Sequence, residues 1–232
     1  MSRAPFFILV CVSIFVDATI ATCTVSKNEI EYGERLACSN VTLSTALISG
    51  GPLVSNVIIF QSQIRNIPDR SFLKYNRTLV SLNLLNCSIR NISDGAFHGL
   101  RTLKKLGLSH NYITSVRDQW FFNLTSLEQL DLSHNLISTI EPTVFEKLQR
   151  LKRLDLSENR LTCLEPAQLV PMSGLEKLLF SGNPLTFRCR GTVSILQLSL
   201  NKKRKKKEKK KQINKLSPFK RVCYNGTNKT VT

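Results

Sequence analysis

The sequence predicts an α/β solenoid: a curved horseshoe of about six stacked repeats, with a parallel β-sheet on its concave face and a cap at each end. Three observations point there. Aligned on one frame, the chain reads VSNVIIFQSQI from Val54, LVSLNLLNCSI from Leu79, LKKLGLSHNYI from Leu103, LEQLDLSHNLI from Leu127, LKRLDLSENRL from Leu151 and LEKLLFSGNPL from Leu175. The ninth residues, Ser62, Cys87, Asn111, Asn135, Asn159 and Asn183, follow one another at steps of 25, 24, 24, 24 and 24. Phenylalanine recurs ten residues after the ninth position, at Phe72, Phe97, Phe121 and Phe145. An amphipathic helix repeats its apolar residues every 3.6 positions and does not generate such a step, whereas a solenoid does.

Each element follows from the pattern. Positions one, four and six carry apolar residues and point inward from a short parallel strand, because alternate residues of a strand face opposite sides. The ninth-position asparagine can hydrogen-bond the backbone of neighbouring turns and so satisfy buried polar groups. Ser62 and Cys87 replace it in the first two rungs and weaken that ladder locally. Cys87 reads as a buried structural thiol, since no activating base stands beside it. Ile67, Ile92, Val116, Ile140 and Leu164, five residues after the ninth position, and the phenylalanines belong inside the convex side. No single unit can bury its own core, so stability comes from stacking.

These motifs resemble the typical 24-residue class of extracellular leucine-rich repeats, as in Toll-like receptors and secreted or cell-surface recognition proteins. The resemblance covers residues 54–185 and implies caps at 22–53 and 186–232. Cys23 and Cys38 have a local spacing that suits one disulfide, similar to a reduced version of the family's cysteine-rich flanks. Asn183-Pro184-Leu185-Thr186-Phe187-Arg188-Cys189 resembles the start of the family's C-terminal cap, although Phe187 stands where a cysteine is usual. The resemblance implies a disulfide between Cys189 and Cys223 and leaves Cys163 unassigned.

The first residues read as an export signal. Arg3 precedes an apolar run from Phe6 to Val16, then come the small residues Ala18, Thr19 and Ala21, which fits cleavage after Ala18 or Ala21 and a leader over 1–21. A retained membrane anchor is the rival reading, but Asp17 ends the run well short of the roughly 20 apolar residues a span needs. No later stretch is long and apolar enough to span, so a soluble, secreted chain is expected, or else a fragment of a longer receptor. Removal of Cys11 with the leader leaves six cysteines, an even number that suggests disulfides in an exported protein. Sequons at Asn40, Asn76, Asn86, Asn91, Asn123, Asn225 and Asn228 exceed the about two or three expected by chance and agree with export. No metal or other cofactor is expected, because no local Cys or His spacing completes a zinc quartet.

Lys202, Lys203, Arg204, Lys205, Lys206, Lys207, Lys209, Lys210 and Lys211, interrupted only by Glu208, supply eight of the seventeen net positive charges. Like charges at this density repel and form a solvated insertion. Three readings stay open: no partner, a site for sulfated glycans or acidic surfaces, and a nuclear or nucleic-acid patch. The export signals and the lack of aromatic side chains for base stacking weigh against the last.

The outward face of the concave sheet is where a solenoid binds. It carries Ile58, Phe60, Asn83, Leu85, Lys105, Gln129, Asp131, Arg153, Asp155 and Lys177. Ile58, Phe60 and Leu85 form an apolar patch and the remainder a track of mixed charge, the usual anatomy of an interface. Packing of Ile58 and Phe60 under the N-terminal cap is the alternative. His110 and His134 occupy equivalent places on adjacent strands, either as a pH-sensitive pair or as ordinary filling of the repeat. A catalytic reading using Asp131 finds no nucleophile and little water exclusion, so no enzyme is expected. The expected function is recognition of an extracellular protein ligand or receptor, of innate-immune, adhesion or matrix type. The alternative is a matrix protein binding sulfated glycans through the basic run.

Overall fold

The computed structural model describes residues 20–27, 33–164, 168, 171–172, 174–191, 194, 200, 205–206 and 208–209. The expected leader up to residue 19, Cys223, Asn225, Asn228 and Lys202, Lys203, Arg204, Lys207, Lys210 and Lys211 lie outside them.

In chain order the elements are β1 (Thr22–Lys27), β2 (Glu34–Ser39), α1 (Leu43–Ser49), β3 (Val54–Phe60), β4 (Asn66–Ile67), β5 (Ser81–Leu85), β6 (Asn91–Ile92), β7 (Lys105–Gly107), β8 (Ser115–Val116), β9 (Gln129–Asp131), β10 (Thr139–Ile140), α2 (Val144–Lys147), β11 (Arg153–Asp155) and β12 (Lys177–Leu179). One sheet runs β1-β2-β3-β5-β7-β9-β11-β12. All its pairs are parallel except β1 with β2. The repeat step holds the register: Leu82, Leu106, Leu130, Leu154 and Leu178 stand opposite one another, all pointing into the core.

On the convex side the second half of each unit is short and irregular, with 3-10 turns at Leu73–Tyr75 and Asp118–Phe121, the single turn α2, and the two-strand ribbons β4-β6 and β8-β10. Phe72, Phe97, Phe121 and Phe145 are all buried there, and Phe72 stacks on Phe97 with ring centroids 6.0 Å apart. Buried Trp120 donates its indole N–H to the Ile92 carbonyl, 3.2 Å away, so its polar atom is satisfied.

A ladder of asparagines joins the units. The Asn135 carboxamide donates to the carbonyls of Leu108, Leu132 and Ser133 and accepts from the Ile113 N–H, at 2.9–3.1 Å. Asn159 and Asn183 repeat the pattern one and two rungs on, and Asn111 accepts from two amides, Cys87 and Ile89. The first two rungs are thinner, as their residues dictate. The Cys87 thiol lies 3.3 Å from the Ile59 carbonyl and 3.4 Å from that of Leu85. The Ser62 hydroxyl donates to Phe60 and accepts from the Val41 N–H, tying the first unit to the cap.

At the N-terminal end β2 adds to the sheet edge and β1 folds back along it, with Cys23 directly opposite Cys38 and joined to it by a disulfide. Helix α1 is capped by the Thr42 hydroxyl, which accepts from the Thr45 N–H. Tyr75 from the first repeat donates to the Leu47 carbonyl at the end of that helix. Gly50 is required there, because any side chain would run into the tyrosine hydroxyl.

The C-terminal half corrects one expectation. Cys189 bonds to Cys163, with Cα atoms 5.3 Å apart, and a half-cystine has no valence left for Cys223. The cause is stacking. The Thr186 N–H donates to the Thr162 carbonyl, which lays the segment after the sixth strand along the preceding turn and sets Cys189 beside Cys163.

Two outcomes test this architecture. Asn135→Ala strips partners from buried carbonyls and an amide and should cost about 2–3 kcal/mol in denaturant unfolding. Asn91→Ala, which in protein made without glycans removes an exposed bond to Asn66, should change stability by less than about 0.5 kcal/mol. Non-reducing peptide mapping should recover a Cys163–Cys189 fragment; a Cys189–Cys223 fragment would show the C-terminal packing to be wrong.

Candidate recognition surface

The face that can meet a partner is built by a turn repeated six times. The eighth residue of every unit lies in the left-handed region: Gln61 (φ 47°), Asn86 (51°), His110 (56°), His134 (53°), Glu158 (54°) and Gly182 (71°). This turn swings the chain off the strand, dips the ninth side chain into the ladder and leaves the eighth exposed along one rim of the sheet. Asparagine and glycine tolerate it best, and histidine more than most.

Two hollows lie on the concave side. The first, about 320 Å³, is lined by Phe60, Gln61, Leu85, Asn86 and His110. Ile58 and Phe60 pair with Ala37 and Ser39 of β2 on one side and with Asn83 and Leu85 on the other. The cap strand therefore extends the sheet edgeways beside them, and both remain partly exposed, as does Leu85 at 41%. The second hollow, about 270 Å³, is walled by Asn83, Lys105, Gly107, Gln129, Asp131 and Arg153. Gly107 lies on its floor against the Asn83 side-chain amide, which would have to turn aside for any larger residue there.

The charged residues of this face are not equivalent. Asp131 accepts from both the Ser133 N–H (3.0 Å) and the Ser133 hydroxyl (2.6 Å) and remains half-buried. Asp155, expected on the open face, is only 6% exposed. One oxygen is held by Ser157 and the other by Arg153 at 3.3 Å, so it serves the fold and the neighbouring arginine. Lys105 and Lys177 form no ion pair among the described residues. Third-position residues run Lys105, Gln129, Arg153, Lys177 across four adjacent strands, a basic column with two unengaged ammonium groups.

His110 and His134 stack face to face on the rim, with centroids 4.1 Å apart and planes 9° from parallel. Among the described residues no group of three or more His, Cys, Asp or Glu is arranged to hold a metal ion. Nor is any helix there long and apolar enough to cross a membrane. Asn86 and Asn91 of the expected sequons are exposed and Asn40, Asn76 and Asn123 partly so; Asn86 opens directly beside the apolar hollow. Lys205, Lys206 and Lys209 of the basic run are exposed.

The leucine rich repeat family model matches at residues 52–113, 77–137, 101–155 and 130–185, which together cover more than half of the chain. The chain belongs to the leucine-rich-repeat family. A comparison with curated protein sequences returned no significant match. Among solved structures, the leucine-rich-repeat chain is similar to TLR13 in its complex with ssRNA13, at 28% identity and TM-score 0.59 over 70% of this chain and 25% of that one. It also shares its fold with Toll in the Toll–Spatzle complex of Drosophila, at 24% identity and TM-score 0.52 over 57% and 20% of the two chains. A leucine-rich-repeat protein of Leptospira interrogans shares the fold at 22% identity and TM-score 0.50, over 62% and 42%. The chain thus spans between a fifth and about two fifths of the length of these relatives. These similarities show the leucine-rich-repeat architecture of the chain.

Two features of the face escaped sequence reasoning. The left-handed eighth position was signalled by Asn86 and Gly182, whose types favour it. The serine clasp on Asp131 and Asp155 was signalled by the Asp-Leu-Ser repeated in neighbouring units.

Cys87 is buried and unpaired, and burial pushes its thiol up to about 12 from 9.0, against a smaller opposing contribution from the Ser62 backbone. A raised acid binds its proton more tightly in the folded state, so the stability it confers is complete below pH 9 and is lost as pH rises towards 12. Iodoacetamide at pH 8 should leave the native thiol unlabelled and label it on unfolding, and Cys87→Ala should flatten the alkaline limb of the stability profile.

Proposed function

We infer that this chain is a secreted recognition module that binds a protein partner through its concave sheet, in a role of innate-immune, adhesion or matrix type. The observation that carries this reading is the apolar hollow at Phe60 and Leu85, rimmed by Gln61, Asn86 and His110. Apolar centres with polar margins are where interface energy concentrates. The reading assigns residues 1–21 to a cleaved leader, 22–53 and 186–232 to caps, and 54–185 to the repeats, with glycans on the sequons. A glycan on Asn86 would shade the hollow, so occupancy at that site sets how much of the face is open. The basic run offers a second reading, capture of sulfated glycans, favoured by the exposure of Lys205, Lys206 and Lys209.

Expression in mammalian cells should deliver the protein to the medium with its leader removed and its mass reduced by glycosidase treatment. Binding of that protein to intact cells should then fall at least ten-fold, about 1.4 kcal/mol, on Leu85→Asp without loss of the folded state. Deletion of residues 202–211 should leave the binding in place. The reverse pattern, with steep loss in salt, would hand the function to the basic run.

A further inference from the structure

We propose that the partner presents an extended, acidic peptide segment with one large apolar side chain, laid diagonally across the concave sheet. The inference rests on the concave-sheet reading above and specifies the chemistry of what fills it. The two hollows do not lie on one strand axis. The apolar one sits at the seventh and eighth positions of the first three units, and the polar one at the third and fifth positions of the second to fifth. A chain touching both must cross the strands obliquely.

The spacing follows from sheet dimensions. Adjacent strands are about 4.8 Å apart and residues about 3.3 Å apart along them. From Phe60, Lys105 lies two strands over and four residues back, roughly 16 Å away; Lys177, five strands over, is roughly 27 Å away. An extended peptide advances about 3.3 Å per residue, so its acidic groups belong about five and about eight residues from the apolar anchor.

Charge decides the sign. Lys105 and Lys177 form no ion pair among the described residues, whereas Arg153 is held by Asp155, both aspartates are clasped by their serines, and the exposed carboxylate of Glu158 stands on the rim at the eighth position, away from the third-position column. Two ammonium groups without an ion-pair partner among the described residues, set in one column with Arg153, attract anions. Asp131 nonetheless keeps a carboxylate on the wall of the polar hollow, which disfavours a uniformly anionic glycan and favours a chain that places its charges singly. An apolar hollow of about 320 Å³ stands at the low end of the range for ligand sites and suits one side chain.

The test is selection of random peptides of about twelve residues, long enough to span the roughly 27 Å to Lys177, displayed on phage against the purified full-length protein, followed by anisotropy measurements on the enriched sequences. The expected consensus has one large apolar residue with Asp or Glu about five and about eight positions away. Its binding should weaken at least ten-fold in Lys105→Glu/Lys177→Glu, a variant that leaves Asp155 its arginine, and at least ten-fold in Leu85→Asp. Melting temperatures near that of the unaltered protein confirm that both variants fold. No enrichment overturns the proposal. So does a consensus without acidic residues: if its binding is still lost in Leu85→Asp, recognition by the concave sheet stands and only the acidic partner falls. Peptides indifferent to both variants overturn both readings. Displacement of the peptides by heparin oligosaccharide that disappears on deletion of 202–211 moves the site to the basic run and overturns this one.

Discussion

Every unit of this chain must bring a strand to an end inside the protein, and the backbone groups at that bend have no water to satisfy them. A buried, unpaired carbonyl or amide costs about 1–3 kcal/mol, and six stacked bends multiply the problem. The ninth-position carboxamide resolves it, because one side chain carries two donors and an acceptor on a short stem. Asn135 meets three carbonyls from its own unit and the one before, and an amide from the latter. The left-handed residue just before it is the geometric condition for that reach. The sheet, its register and the convex stacking of phenylalanine all follow from a bend that can be repeated without an unsatisfied group.

The same constraint shapes the recognition surface. With the fourth and sixth positions committed to the core and the ninth to the ladder, only the third, fifth, seventh and eighth are free to vary towards a partner. Even these are not wholly free. Asp131 and Asp155 are drawn into serine clasps, the Asn83 side chain crowds the space over Gly107, and the eighth position must accept a left-handed backbone. Besides the exposed eighth-position rim, the open face holds apolar Phe60 and Leu85 at the seventh position and the cations Lys105 and Lys177 at the third. Charge separated from an apolar anchor is a basis for partner selectivity, since a ligand must match both.

The ends are handled differently from the middle, as a solenoid requires. At the N-terminus the cap adds two strands in plane, covalently closed by Cys23 and Cys38, and presses Tyr75 against α1. At the C-terminus Cys163 and Cys189 fasten the last described turn to the repeat before it. Ser62 in the first rung is suited to that boundary. Its hydroxyl reaches the cap amide at Val41, and there is no full preceding repeat for an asparagine to serve.

The sequence by itself determined the solenoid, its register and its buried set. The 24-residue step between Asn111, Asn135, Asn159 and Asn183 puts equivalent side chains on adjacent strands whatever else happens. It also showed which residues face outward, because alternation along a strand is local geometry. Tertiary structure alone decided which outward residues are available. Asp131 and Asp155 look alike in sequence, yet the second is buried beside Arg153 and the first is not. Cys163 and Cys189 are separated by 26 residues and meet only because one turn lies on another. The two hollows are likewise products of side chains from three or four different units. Periodicity fixes position within a unit, while burial, pairing and cavity depend on what the neighbouring units place alongside.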